Sequence, residues 1–279
     1  GTANVYGKGE TGDMTIVAPE APYTNRFVVR RPADPAAASG RVVVEIVNSS
    51  SYMDIDRSWV LTCEQLMRNG DIYVGGTSKP ITMKTLRKFD PQRYAPLNWG
   101  NPRKCLLPAE ALGNFEGASR PETEDGLFWD MLTDLGLACR GKNCFLGGAP
   151  VKRVYLMGWS QSGGYMVAYT NWFARKRYEA GLTPVFDGMF SMGPGPSVTP
   201  ALNQEESMRI DQGEATVQFS NVPYYTVHTE SENAGLGTCQ TRIPDSDDPQ
   251  LLYRITEIAG ATHDSVFSMD DYYRDRTDQ

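Results

Sequence analysis

The sequence predicts a doubly wound α/β domain, and three observations carry that expectation. Short apolar, β-branched runs alternate with longer stretches whose apolar residues recur at helical spacing. Arg41–Val47, the helical stretch after Asp56 and the run Ile72–Gly75 follow one another as a βαβ unit, which requires parallel strands. Val154–Gly164 then reads as a buried strand, a sharp turn and the start of a helix. With 279 residues, 40% of them hydrophobic and 22% charged, the chain has the apolar content for one large core. No internal repeat or low-complexity tract divides it. Residues 1–279 are therefore expected to form a single domain, with inserted loops at about 79–122 and 193–221.

Taken in order, residues 1–40 read as irregular extended structure with one strand at Arg26–Arg30. RVVVEIV at 41–47 is a buried strand, because β-branched side chains suit a packed, pleated surface. It ends in the polar loop Asn48–Ser51. Asp56 is expected to cap a helix whose apolar face carries Trp59, Val60, Cys63, Leu66 and Met67, with Gly70 just past its end. After strand Ile72–Gly75, a short helix at Thr82–Lys88 interrupts a long loop rich in Pro, Asn, Gly and aromatics. Thr123–Leu137 is a helix through Leu127, Phe128, Met131, Leu132 and Leu135. The helix after the 154–164 turn runs to about Glu179, and a strand lies near Phe186–Ser191. Gly193–Asn221 reads as an acidic lid. Val222–Thr229 and Leu252–Ile258 are the last strands, and Asp264–Arg274 is a closing helix.

The chemistry starts from VYLMGWSQSGG at Val154–Gly164. A serine between a buried strand and a helix, with small residues two positions to either side, is the arrangement a nucleophile elbow needs. The turn projects the hydroxyl, and the helix start supplies backbone N–H groups for an oxyanion. The motif is G-x-S-x-S-G, so Ser162 competes with Ser160. Ser160 falls in the turn and Ser162 in the first helical turn, which favours Ser160 as nucleophile.

A serine nucleophile needs a base, and the base needs an orienting acid. The chain has two histidines. His263 follows strand Leu252–Ile258 through a short loop, beyond a strand's carboxyl end, where open α/β sheets meet ligands. His228 lies inside an apolar run and reads as a core residue. Glu230 and Glu232 stand directly after Val222–Thr229, and the order serine, acid, histidine is that of an α/β-hydrolase. Glu232 is the expected acid and Glu230 its alternative. The oxyanion donors are expected from the backbone of Gln161 and from the loop after Arg41–Val47, at Ser49 or Ser50.

Other features carry less. Asp245–Asp248 resembles an acidic metal loop without the glycine and distal glutamate of an EF-hand, and reads as a solvated turn. No metal site or cofactor is expected. Met192–Pro196 (MGPGP) is a rigid loop shaping the pocket, and Tyr52, Trp99 and Trp159 are candidate cleft aromatics. A net charge of −7 argues against nucleic acid or an anionic membrane as partner, which leaves a small-molecule substrate. Among five cysteines, Cys139–Cys144 and Cys63–Cys105 are the expected bridges, leaving Cys239 over; that pattern suits a secreted or periplasmic protein. The sequon at Asn48–Ser50 reads as unused.

Several blocks together make the chain resemble a bacterial α/β-hydrolase-domain family with an S-Q-S-G serine elbow. They are Asp56–Pro80, Phe89–Trp99, Gly158–Gly164, Val185–Gly188 and Tyr253–His263. The elbow is also similar to that of glucuronoyl esterases, whose nucleophile corresponds to Ser160. The resemblance implies an α/β-hydrolase fold and a cofactor-free Ser–acid–His hydrolase, with an ester as substrate. Amidase or transacylase activity on the same residues, or a non-catalytic binding protein, are the competing expectations. The chain departs from the family in two respects. Gly164 stands where members often carry Arg, and members tend to continue beyond the histidine helix, implying a further C-terminal segment that would take Cys239's partner with it.

Overall fold

The computed structural model describes residues 1–104, 121–141, 145–194, 200–206, 215–235 and 242–264. Among these, one sheet of eight strands runs in the order β3-β5-β4-β6-β7-β8-β10-β9. Its strands are β3 (Phe27–Arg30), β4 (Arg41–Val47), β5 (Ile72–Thr77), β6 (Arg153–Trp159), β7 (Gly188–Met192), β8 (Ser220–Thr229), β9 (Ser246–Asp248) and β10 (Leu251–Ile258). The pairs β5–β4–β6–β7–β8–β10 are all parallel. Only the edge strands β3 and β9 are antiparallel to their neighbours. This is the α/β-hydrolase fold, a mostly parallel sheet with helices on both faces.

Strand β4 shows why the sheet is covered twice. Val42, Val44 and Ile46 are fully buried on the face packed by α3 (Phe128–Arg140) and α4 (Gln161–Ala168). Val43 turns to the other face, into a smaller cluster with Leu66, Tyr73, Met157 and Trp159 beneath α1 (Arg57–Asn69). A strand buried on both faces has no polar alternation, so it reads as a continuous apolar run.

Glu45 is the exception within that run, and it corrects an expectation. Asp56 occupies the N-cap position of α1 but makes no side-chain cap bond. It pairs instead with Arg30 at 2.6 Å. The cap comes from across the sheet: Glu45 accepts the N–H groups of Ser58 (2.8 Å) and Trp59 (3.1 Å), and the Tyr73 hydroxyl at 2.7 Å. Gly70 ends the helix as expected, at φ 69° with its N–H on Leu66 and Met67 carbonyls. A Cβ there would lie 2.4 Å from Ala37 O. Met67 does not join the apolar face; it is 61% exposed.

The N-terminal residues are ordered where irregular structure was expected. β1 (Thr2–Lys8) and β2 (Met14–Pro22) form an antiparallel hairpin. It packs on the core through Ala3 and Val5 and is tied to α3 by Asp130, which accepts from Asn4 N (2.8 Å) and Tyr6 Oη (2.7 Å). The helix predicted from Thr123 begins as a 3₁₀ turn at Asp125–Leu127 and becomes α3 three residues later. The helix after the elbow does reach Glu179, but through a π-helical segment, Tyr169–Ala174, that separates α4 from α5 (Arg175–Glu179). The short helix at 82 is α2 (Thr82–Phe89). Glu230–Gly235 is a further helix, α6, where a loop was expected.

Asp245–Asp248 is an edge rather than a free turn. Asp247 bonds Arg254 at 2.6 Å, and residues 246–248 pair with β10. Cys63 is a free thiol whose Sγ lies 3.7 Å from Val60 O, so the expected bridge to Cys105 is not formed. Cys105, Cys144 and Cys239 lie outside the described residues, and the Cys139–Cys144 pairing and the helix over 264–274 fall there with them. No helix among the described residues is long and apolar enough to cross a membrane.

Candidate active site

Because six neighbouring strands are parallel, their carboxyl ends share one edge of the sheet, and the loop after each delivers residues to it. Ser160 follows β6. It sits at φ 55°, ψ −116°, a strained conformation for a residue with a Cβ. Its N–H donates to Met192 O of β7 (2.8 Å), and its own carbonyl accepts from Gly164 N (3.1 Å) to start α4. The turn is tight: a Cβ on Gly158 would lie 2.7 Å from Ser162 O. Ser160 and Gln161 are partly exposed, whereas Ser162 is 1% exposed with no hydrogen-bond partner for its hydroxyl. Of the two serines, only Ser160 is open to solvent.

His263 follows β10. Its Nδ1 hydrogen-bonds Glu232 Oε1, and the imidazole stands edge-on to Trp159, with ring centroids 6.0 Å apart. Glu232 lies in the first turn of α6, and its side chain is fully buried, whereas His263 is 24% exposed. The other oxygen, Oε2, accepts the N–H of Thr229. Burial by itself raises the Glu232 carboxyl, but the bonds from His263 and Thr229 outweigh it and hold its pKa below the ordinary value. Glu230 has a different role. It is exposed, and Oε2 accepts the Gly260 N–H at 2.6 Å, tying α6 to the loop that carries His263.

Gly193 fills the space between these groups. At φ 55°, a Cβ there would come within 3.0 Å of His263 Cε1 and 3.2 Å of Glu232 Oε1. Ser160 is bonded to Met192 and Gly193 underlies His263, so the end of β7 borders both. Among the described residues, no hydrogen bond joins Ser160 Oγ to the His263 ring. His228 is buried on β8, where burial pushes its pKa down against the carboxylates of Glu232 and Glu257. An enclosed imidazole of that kind is a core group.

The loop after β4 approaches Ser160 from the other side. Asn48 is fully buried and donates from Nδ2 to Trp159 O at 2.9 Å. Its Oδ1 accepts both the N–H (2.9 Å) and Oγ (2.5 Å) of Ser50. That corrects the expectation for Ser50, whose amide is consumed locally. It also leaves Asn48 inaccessible as a sequon. Ser49 Oγ donates to Gln161 Oε1 (3.0 Å) and meets Ser78 Oγ (3.3 Å), so it braces the residue after Ser160. Of the three expected cleft aromatics, Trp159 borders His263, Tyr52 lies partly buried in this loop at φ 65°, and Trp99 is fully buried in the core, stacked on Phe128.

Sequence reasoning missed Asn48 as a support and placed Gly193 only within the pocket-shaping segment Met192–Pro196, without its contact to His263. It also missed an ion pair beside the histidine: Asp264 bonds buried Arg57 at the start of α1. An Asn directly after a strand is a common turn residue, so no local signal marks Asn48. Among the described residues, no group of three or more His, Cys, Asp or Glu side chains is arranged to hold a metal ion.

A family model described as an alpha/beta hydrolase domain matches residues 1–279. The chain belongs to that family. No curated protein matches. Solved structures similar to it include an uncharacterised protein from Capnocytophaga ochracea (14% identity, TM-score 0.43), a lipase/esterase from Lactobacillus plantarum (11%, 0.49) and a siderophore hydrolase from Aspergillus nidulans (14%, 0.45). These alignments cover 88%, 92% and 100% of this chain and 57%, 98% and 95% of those chains. The chain thus spans little more than half the length of the Capnocytophaga protein.

Proposed function

We propose that this member of the alpha/beta hydrolase domain family is a serine hydrolase, one domain over residues 1–279, that cleaves a carboxylic ester through an acyl-enzyme. The observation that carries the reading is the buried Glu232 carboxylate on Nδ1 of His263, at the sheet edge where Ser160 occupies its strained turn.

Glu232 keeps the proton on Nδ1, so Nε2 is the accepting nitrogen. Nε2 takes the Ser160 proton as Oγ bonds the ester carbonyl carbon. The oxyanion is held by the Gln161 N–H at the start of α4, with Ser49 N–H as the second donor; each such donor is worth about 3 kcal/mol in the transition state. The C–O bond of the ester then breaks, and His263 returns the proton to the leaving alkoxide. Water repeats the sequence on the acyl-enzyme, with His263 as base. The carboxylate of Glu232, kept ionised by its hydrogen bonds, stabilises the imidazolium formed in both halves.

Labelling with a fluorophosphonate followed by peptide mapping tests this directly. The adduct is expected on Ser160 and absent from Ser160→Ala. An adduct on Ser162, or labelling that survives Ser160→Ala, overturns the assignment.

A further inference from the structure

One cation beside this site has no assigned work. Lys79 stands two residues past the carboxyl end of β5, next to Ser78. The Ser78 hydroxyl meets Ser49 Oγ, which bonds Gln161, so the backbone that carries Lys79 adjoins the loop of the expected oxyanion donors. Its Nζ is 5.9 Å from the centroid of the Tyr165 ring. Tyr165 is buried in α4, one turn behind Gln161, and packs against Phe128 and Trp129 at 5.3 Å from each. Lys79 is half-buried, and among the described residues no ion pair or hydrogen bond engages its ammonium.

That arrangement is costly as it stands. Drawing an ammonium part-way out of water without an acceptor is unfavourable, and an aromatic ring returns only a part of what is lost. Burial accordingly lowers the pKa of Lys79, against the field of Asp125, the nearby carboxylate. An unpaired, half-buried cation at this edge of the sheet is matched by a ligand anion that supplies the missing acceptor.

Resting on the serine hydrolase reading above, we propose that Lys79 binds a carboxylate of the substrate, so that the preferred esters carry a negative charge at the end of the chain away from the scissile bond. The acceptor is a substrate carboxylate held on the oxyanion side of Ser160, across from His263. Asp125 opposes an incoming anion, so its field sets how strong the preference is.

The test compares two esters of equal chain length, 4-nitrophenyl hemiglutarate and 4-nitrophenyl pentanoate, by the ratio of their kcat/KM values. Wild type is expected to favour the hemiglutarate by roughly tenfold or more, as a charge-assisted hydrogen bond in an enclosed site does. In Lys79→Met, which keeps the side chain's length and apolar packing, the ratio should fall to within about twofold of unity. Asp125→Asn should raise it. A wild-type ratio near unity, or a preference that Lys79→Met retains, overturns the proposal. Calorimetric titration with glutarate separates this from the parent reading. If neither ester is turned over, the hydrolase assignment fails, and glutarate binding decides the carboxylate site alone. Binding to wild type that is lost in Lys79→Met sustains it, and equal or absent binding overturns it.

Discussion

Replacing Glu232 by Gln preserves shape and changes which nitrogen of His263 carries the proton. Both neighbours of the carboxylate are donors: His263 Nδ1 on one oxygen and the Thr229 N–H on the other. A glutamine has a single oxygen to offer. If that oxygen stays on Thr229, the amide NH₂ faces Nδ1, and the ring accepts it only by moving its own proton to Nε2. That tautomer cannot take a proton from Ser160. If the amide flips, two N–H groups confront each other where the side chain is fully buried, at a cost of about 1–3 kcal/mol for the unsatisfied donor. The first arrangement therefore wins, and it is the inactive one. The comparable change in the best-studied Ser–His–Asp triad lowers kcat by about 10⁴. For Glu232→Gln, a loss of roughly 10³ to 10⁴ is expected, with Tm little changed. Glu230→Gln keeps an oxygen for Gly260 N and lies at the surface, so its kcat should stay within about threefold. The assay is kcat on one activated ester for both variants, beside their melting temperatures. A dead Glu230→Gln with a nearly normal Glu232→Gln swaps the assignment. Full activity in both removes the acid from this loop, and Asp264 is then the residue to examine, although Arg57 already engages it.

The buried cap of α1 predicts a pH dependence of stability. Burial raises the Glu45 pKa from 4.5 to about 7, against the bonds from Ser58 and Tyr73. Because the folded-state pKa lies above the unfolded one, the favourable contribution is complete below pH 4.5 and is lost as pH rises through about 7, up to roughly 3 kcal/mol. Urea melts from pH 4 to 8 should show that slope, and Glu45→Gln should flatten it; parallel profiles for both proteins would refute the linkage. Gly193→Ala brings a Cβ within 3.1 Å of His263 Nδ1 at a positive φ, so kcat should fall by tenfold or more for about 1–2 kcal/mol of stability. Unchanged kcat in that variant would show that the contact has slack.

Legibility in the sequence followed how local each constraint is. The Ser160 turn was readable because its steric demand falls on residues two positions away, Gly158 and Ser162, within one motif. The place of His263 beyond the end of β10 was readable because a strand directly precedes it. The choice between Glu230 and Glu232 was harder, since what separates them is a helix, α6, that converts alternate residues into an exposed one and a buried one. Ser50 was misjudged because its amide is captured by Asn48, whose side chain also holds Trp159 O, a partner 111 residues away. The Asp56 cap failed for the same reason: its competitor, Glu45, lies on another strand, and a glutamate inside a β-branched run carries no sign of what it will meet. The β1–β2 hairpin turns small residues, Ala3 and Val5, toward the core and leaves Ile16 and Val17 outside, so its apolar pattern points the wrong way.

These distant partners converge on the start of α1. Glu45 holds the backbone at Ser58 and Trp59 from the sheet beneath, and the neighbouring Arg57 reaches out to Asp264. Asp264 adjoins His263, and Glu230 fixes the same loop at Gly260 from α6. The loop carrying the histidine is therefore anchored at two points that belong to different strands' connections, one after β4 and one after β8. A loop held at one point swings about it, whereas two anchors on rigid elements fix the orientation of the residue between them. His263 lies between Gly260 and Asp264, so these anchors add to the contacts that its ring makes with Glu232 and Trp159. Two glutamates in one helix turn, two residues apart, thus meet different partners: Glu230 bonds the loop at Gly260, and Glu232 bonds the His263 ring.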